Sequence, residues 1–252
     1  MTGAMPTPAW RRTHGMEASM HRRMFVLGSA CAMMPAAADA QARRGSPSTS
    51  ITIERFDAPG PGPHPVVLLL HGSDGLTYPG RYATAARTIA AAGFTVFLPH
   101  YFESTGDRRA AYGELGSKFP AWLAANSAAL DQVVAAPGVA RNRIGVVGIS
   151  LGGALALALS AQDARLKAVV NYFGYLPGQL RAARRFPPTL ILHGDADRIV
   201  PVSNAYAIET LLQARGSVVE RRIYPGQGHG FGGAASTDAA SRTASFLNRY
   251  IG

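Results

Sequence analysis

The sequence predicts an α/β fold: a mainly parallel sheet with helices on both faces. Three observations predict it. From residue 51 to the end, short aliphatic runs of strand length alternate with longer helical stretches. The run at residues 66–70, Val-Val-Leu-Leu-Leu, has no polar position, as in strands covered on both faces. At residues 143–159 a strand pattern passes through Gly148-Ile149-Ser150-Leu151-Gly152 directly into an Ala/Leu-rich helix pattern.

Residues 51–56 alternate apolar and polar side chains, which predicts an edge or half-buried strand closed by the Pro/Gly turn at 59–65. The buried strand at 66–70 ends in His71-Gly72-Ser73-Asp74-Gly75. A helix is expected over 81–92, stopped by Gly93, and then a buried strand over 94–98. Residues 99–116 read as a long polar loop, followed by a helix over 120–136 that Pro137-Gly138 ends. Strands at 143–147, 167–171, 189–192 and 218–223, with helices beginning at Gly153 and spanning 203–214 and 236–250, complete the alternation. About sixteen residues separate Asn171 from Pro188, too few for a folded cap, so the site should be open.

The chain has 252 residues, 47% of them hydrophobic, enough for one sizeable core. Its formal charge is +10, but the arginines fall in scattered pairs such as Arg108-Arg109 and Arg184-Arg185, with no basic stripe interleaved with aromatics. That distribution describes a solvated surface, not a nucleic-acid interface. Residues 1–40 read as an export signal: Arg22-Arg23 precede a short apolar run, and Ala38-Asp39-Ala40 supplies the small residues a signal peptidase reads. The arginine pair resembles the twin-arginine motif, with His21 where Ser or Thr is usual, and an ordinary Sec signal with a basic start is the alternative. The apolar run is too short to span a bilayer, which argues against an anchor. Cleavage near Ala40 would leave a flexible leader over 41–50, one domain over 51–252 and a periplasmic or secreted location. The single cysteine, Cys31, lies in the signal, so the mature chain would have no disulfide, thiolate metal site or cysteine nucleophile.

Ser150 is the candidate nucleophile. On a strand-to-helix turn this tight its backbone must be strained, and a β-carbon at Gly148 or Gly152 would strike the neighbouring strand or helix. The helix start also offers unpaired N–H groups and a positive dipole end to an oxyanion. A hydroxyl needs a base, and the base needs an orienting acid. His193-Gly194-Asp195-Ala196-Asp197 follows a strand and brings carboxylates to the same sheet edge. Asp197 is the chosen acid, with Asp195 assigned to the turn. His229, in Gly226-Gln227-Gly228-His229-Gly230-Phe231, is the only later histidine and the candidate base. His71, His100 and His193, each at a strand end, are assigned to structure. A metal reading of His193, Asp195 and Asp197 lacks further ligands, so neither metal nor cofactor is expected. The backbone N–H groups of Leu151 and Ser73 are the candidate oxyanion donors. The substrate-binding residues are not legible. Arg81, Arg108, Arg109 and Tyr101 could meet an anionic or aromatic substrate, and for the arginines a solvated face is the competing reading.

Gly-Ile-Ser-Leu-Gly-Gly, His-Gly-Asp-Ala-Asp-Arg-Ile-Val-Pro and Tyr-Pro-Gly-Gln-Gly-His-Gly-Phe together resemble the dienelactone hydrolase family of α/β-hydrolases, over roughly residues 50–251. The resemblance implies an uncapped fold that hydrolyses a small ester or lactone, with Ser150, Asp197 and His229 as triad. The founding type carries a cysteine nucleophile and a gating glutamate on the loop after the strand corresponding to 66–70. Here the nucleophile is serine and that loop reads His-Gly-Ser-Asp-Gly, which points to a serine carboxylesterase whose nucleophile is permanently armed. Two alternatives remain at this point: a prolyl-oligopeptidase-like peptidase and a hydrolase-fold protein that only binds a ligand.

Overall fold

A computed structural model describes residues 51–78 and 80–252; the expected export signal over 1–40 and the expected leader over 41–50 lie outside the described residues. Seven strands form one sheet: β1 (Ile53–Phe56), β2 (His64–Leu70), β3 (Thr95–Pro99), β4 (Val139–Ile149), β5 (Leu166–Tyr172), β6 (Thr189–Gly194) and β7 (Val219–Tyr224). Their order across the sheet is β1-β3-β2-β4-β5-β6-β7. Only β1, the alternating strand at the edge, runs antiparallel to its neighbour.

The unbroken aliphatic runs become intelligible once both faces are covered. Val66, Leu68 and Leu70 point into one core layer, and Val67 and Leu69 into the other. The same period of two sorts Val146 from Val147 and Val169 from Val170. The first layer is closed by α2 (Leu115–Ala135), α3 (Leu151–Gln162) and α4 (Ser203–Gln213). The second is closed by α1 (Arg81–Ala91) and α5 (Gly233–Ile251). In α3 every residue from Leu151 to Ser160 is buried, so this helix is apolar all round instead of amphipathic. No helix among the described residues is long and apolar enough to cross a membrane.

The stretch at 99–116 differs from the loop the sequence suggested. It contains two 3₁₀ turns, Tyr101–Thr105 and Tyr112–Glu114, and α2 begins at Leu115, five residues before Pro120. Tyr101 and Phe102 are the reason. Both are buried in the apolar core although the sequence around them is polar, and both rings meet Trp122 of α2, at 6.3 Å and 4.7 Å between centroids. Two aromatic anchors thus hold down a segment of polar composition. Pro120 is tolerated in the second helical turn because it forfeits one backbone bond, to the carbonyl four residues earlier.

This cluster also receives the end of β2. The His71 ring stacks on Tyr101 at 4.0 Å and meets Phe102 edge-on at 4.7 Å. Its Nδ1 lies 2.8 Å from the Gly72 carbonyl, to which it donates. Tyr101 is fully buried and donates its hydroxyl to the His71 carbonyl at 2.7 Å, so it does not face a substrate. Burial pulls the His71 pKa down to about 4, only partly opposed by the Gly72 bond and the Asp74 charge.

The unfolded chain takes up the His71 proton below about 6.5 and the folded chain only near 4, so between those values the unfolded state binds more protons. Folding stability should therefore fall as pH drops through that window, by on the order of 3 kcal/mol from His71. His193, whose pKa burial also lowers, adds in the same direction. Urea midpoints measured from pH 7 to 4 should show this slope, and His71→Asn should flatten it; an equal slope in the variant would assign the loss elsewhere.

Candidate active site

The carboxyl ends of β2, β4, β6 and β7 deliver the loops that carry the sequence-nominated residues. Ser150 follows β4 with φ 56° and ψ −116°, one of two non-glycine residues with positive φ among the described residues. The glycines beside it are there for space. A β-carbon at Gly148 would lie 2.1 Å from the Gly152 carbonyl oxygen, and one at Gly152 would lie 2.2 Å from the Leu70 oxygen and 2.5 Å from that of His71. Helix α3 and strand β2 approach the elbow too closely for any side chain. Asn171 completes the seat: its amide nitrogen donates to the Gly153 carbonyl at 3.3 Å, and its oxygen accepts from the Gly174 N–H at 2.8 Å.

The other nominated residues meet Ser150. His229 Nε2 lies 2.8 Å from Ser150 Oγ, and His229 Nδ1 lies 2.7 Å from Asp197 Oδ2. With Nδ1–H donating to the carboxylate, Nε2 is left to accept the serine proton. Asp197 has a fully buried side chain, and its other oxygen accepts the Ile199 and Val200 N–H groups at 2.8 and 2.9 Å. The buried charge is therefore met by backbone dipoles and imidazole, without Arg or Lys.

Asp195 sits apart, exposed, and accepts the Gly226 N–H at 2.7 Å. The Ala196 N–H donates to the Gln227 carbonyl at 3.0 Å, and a β-carbon at Gly194 would fall 2.1 Å from that same oxygen. The loop of Asp197 and the loop of His229 are thus stitched directly together. Phe173, the second residue with positive φ, sets its ring edge-on to His229 at 4.7 Å and to Phe231 at 5.3 Å. The sequence reading missed Phe173; its only signal was a bulky residue at a strand end before Gly174.

Leu151 and Ser73 both line a cavity of about 170 Å³ beside Ser150. Among the described residues neither backbone N–H has a partner. The loop that carries Ser73 is held by the Tyr82 hydroxyl and the Arg81 guanidinium. Tyr82 accepts the Gly72 N–H at 2.8 Å and donates to Asp74 Oδ1 at 2.6 Å, while Arg81 donates to Asp74 Oδ2 at 2.9 Å. Asp74, the carboxylate on that loop, is therefore turned toward α1. The rest of the cavity wall is Tyr112, Leu115, Tyr175, Ile199, Val200, Pro201 and Asn204, with no ionisable Asp, Glu, Lys, Arg or His side chain. Arg81 and Arg109 lie over the Tyr78 ring, at 4.5 and 5.7 Å from its centroid, and neither lines the cavity. Among the described residues no cluster of His, Cys, Asp or Glu could hold a metal ion.

Comparison with known proteins matches residues 55–250 to the model of the dienelactone hydrolase family. A Methylorubrum extorquens protein provisionally named as a carboxymethylenebutenolidase is 26% identical over 190 residues, which cover 68% of this chain and 64% of the relative. A carboxymethylenebutenolidase homolog of Xenopus tropicalis is 28% identical over 91 residues, 36% of this chain and 37% of the relative. The chain thus spans less than two thirds of the length of either. Among solved structures, a dienelactone hydrolase from Anabaena variabilis superposes with a TM-score of 0.64 at 21% identity, over 80% of this chain and 93% of that one, a likeness of fold.

The glycine contacts yield a graded prediction. Gly152→Ala places a methyl group against two backbone oxygens and should cost several kcal/mol, whereas Gly153→Ala meets its nearest atom, Asn171 Oδ1, at 3.1 Å and should cost far less. Melting temperatures of the two variants test the ranking; a Gly152→Ala protein as stable as the parent would contradict the close approach.

Proposed function

The chain belongs to the dienelactone hydrolase family, and we propose that it is a serine hydrolase that cleaves small, uncharged carboxylic esters or lactones through an acyl-enzyme. One observation carries the reading: a serine on a strained strand-to-helix turn, an imidazole 2.8 Å from its hydroxyl and a buried carboxylate 2.7 Å behind the imidazole.

In the proposed mechanism Ser150 Oγ attacks the ester carbonyl as His229 Nε2 takes its proton. Asp197 holds the tautomer and offsets the positive charge that forms on the imidazole. The Leu151 and Ser73 N–H groups receive the developing oxyanion, aided by the amino-terminal end of α3. The alcohol leaves with the proton from His229, and water, activated by the same imidazole, attacks the acyl-serine and releases the acid. Two features support uncharged substrates. The cavity wall offers no cation to pair a substrate carboxylate, and Asp74 is engaged by Tyr82 and Arg81, so no acidic gate stands over the serine. A cavity of about 170 Å³ suits short acyl groups. The proposal extends to the compartment, periplasm or secreted medium, on the strength of Arg22-Arg23 and Ala38-Asp39-Ala40.

Ser150→Ala should abolish fluorophosphonate labelling and lower ester turnover by about 10⁴-fold or more, with the fold intact. Asp197→Asn should cost about 10⁴-fold in kcat, and Asp195→Asn far less. Purified protein should hydrolyse p-nitrophenyl acetate faster than longer acyl esters and faster than an anionic lactone. Near-parental turnover in Ser150→Ala would sink the nucleophile assignment. A reversed aspartate ranking would sink only the choice of acid, and a preference for the anionic lactone only the substrate class.

A further inference from the structure

We propose that His193 is a positioning residue for the Asp197 carboxylate, a fourth member of the relay that acts through the acid and never touches substrate. The inference rests on the triad reading of Ser150, His229 and Asp197. His193 is the next-to-last residue of β6, and its side chain is completely buried. Its Nε2 lies 2.8 Å from the Val200 carbonyl oxygen and 3.3 Å from Asp197 Oδ2. Both neighbours are acceptors, so the proton must sit on Nε2, forked between a strong leg to Val200 and a longer leg to the carboxylate. Nδ1 is then a bare lone pair, and among the described residues it has no partner.

That orphaned nitrogen argues against a merely structural histidine. Burying an acceptor with no donor costs about 1–3 kcal/mol, which a leucine or phenylalanine of comparable bulk would avoid. What an apolar residue would not supply is the N–H. Asp197 lies in the loop beyond β6, and its Oδ1 already accepts two amides from residues 199 and 200 of the same loop. Those bonds fix the carboxylate to the loop, but not the loop to the sheet. Backbone bonds from the Asp195 N–H to the Tyr224 carbonyl and from the Asp197 N–H to the Gly194 carbonyl tie the start of the loop to β7 and β6, and the His193 fork adds a side-chain grip on the Val200 carbonyl and Asp197 Oδ2 from a rigid strand. Asp197 Oδ2 is also the oxygen that receives His229 Nδ1 at 2.7 Å, so its orientation sets where the base points. Burial lowers the His193 pKa, chiefly by desolvation, which keeps the ring neutral and makes it a dipole on the acid instead of a competing charge.

The test compares His193→Leu, His193→Phe and His193→Gln, with Ser150→Ala as the control for the underlying reading, on p-nitrophenyl acetate. The Leu and Phe variants should lose kcat by about 10- to 100-fold with KM within twofold and melting temperature unchanged or raised. Gln can place an N–H near the former Nε2 and should restore most of kcat. The low-field proton resonance of the His229–Asp197 hydrogen bond should move in the apolar variants and return in His193→Gln. Full kcat in a folded Leu or Phe variant, a Gln variant no better than Leu, or an unmoved resonance would overturn the proposal. So would folding of the Gln variant alone, which would make His193 purely structural. If Ser150→Ala retained the activity, the triad reading itself would fail, an outcome distinct from every His193 result.

Discussion

The site depends on one steric constraint, the contact of α3 with both the strand that precedes it and the strand beside it. The carbonyl oxygens of Leu70 and Gly152 come within 2.2 Å of where β-carbons would stand at Gly152 and Gly148. Only glycine permits that approach, and only that approach forces Ser150 to φ 56° with its hydroxyl at the sheet edge. Backbone strain of this kind costs of order 1–3 kcal/mol and persists where surrounding packing over-determines it. Here that packing is α3 itself, buried from Leu151 to Ser160, a helix unable to slide away without exposing apolar surface on every side.

Once the elbow is fixed, a second set of contacts decides whether a loop histidine can serve as a base. Glycine on either side of His229 suggests freedom, but the geometry removes it. Asp195 holds the Gly226 amide, Ala196 holds the Gln227 carbonyl, Gln227 Oε1 accepts the Gly232 N–H at 2.9 Å, and Phe173, itself backed by Phe231, packs edge-on against the ring. Asp195, not chosen as the acid, thus contributes by fastening the loop of His229 to the loop of Asp197. Pre-organisation of this sort lets a Ser–His contact of 2.8 Å exist without substrate.

The sequence made legible whatever follows from periodicity and from short-range sterics. The seven strands, the parallel order of the central ones and the glycines around Ser150 all follow from alternation and from the crowding of a tight turn. Less accessible was anything decided by distant packing. Tyr101 and Phe102 stand in a stretch that reads as polar loop, and their burial depends on Trp122, twenty residues away in the chain. The start of α2 was obscured because a proline normally marks a first helical turn, whereas Pro120 sits in the second. Phe173 gave no sign of its positive φ, and His193 looked like any strand-end histidine because orphaned and forked hydrogen bonds have no sequence signature.

The electrostatics of the site close on themselves. A buried carboxylate is costly unless hydrogen-bonded, and a common solution is an arginine or lysine nearby. Asp197 instead draws on two amides and two imidazoles, all from its own loop, its own strand end and the base. Neutral donors stabilise the charge without cancelling it, so the carboxylate keeps its pull on the proton at His229 Nδ1. Asp74, the carboxylate on the loop that carries Ser73, is occupied by Tyr82 and Arg81 on the α1 side. The proposed relay therefore contains one negative charge that no Arg or Lys pairs, directed at the imidazole, beside a cavity wall without charge of its own. Under the proposed mechanism such a site presents no internal ion pair for substrate to break before Ser150 reacts, so a neutral substrate would need to bring no charge to unlock it.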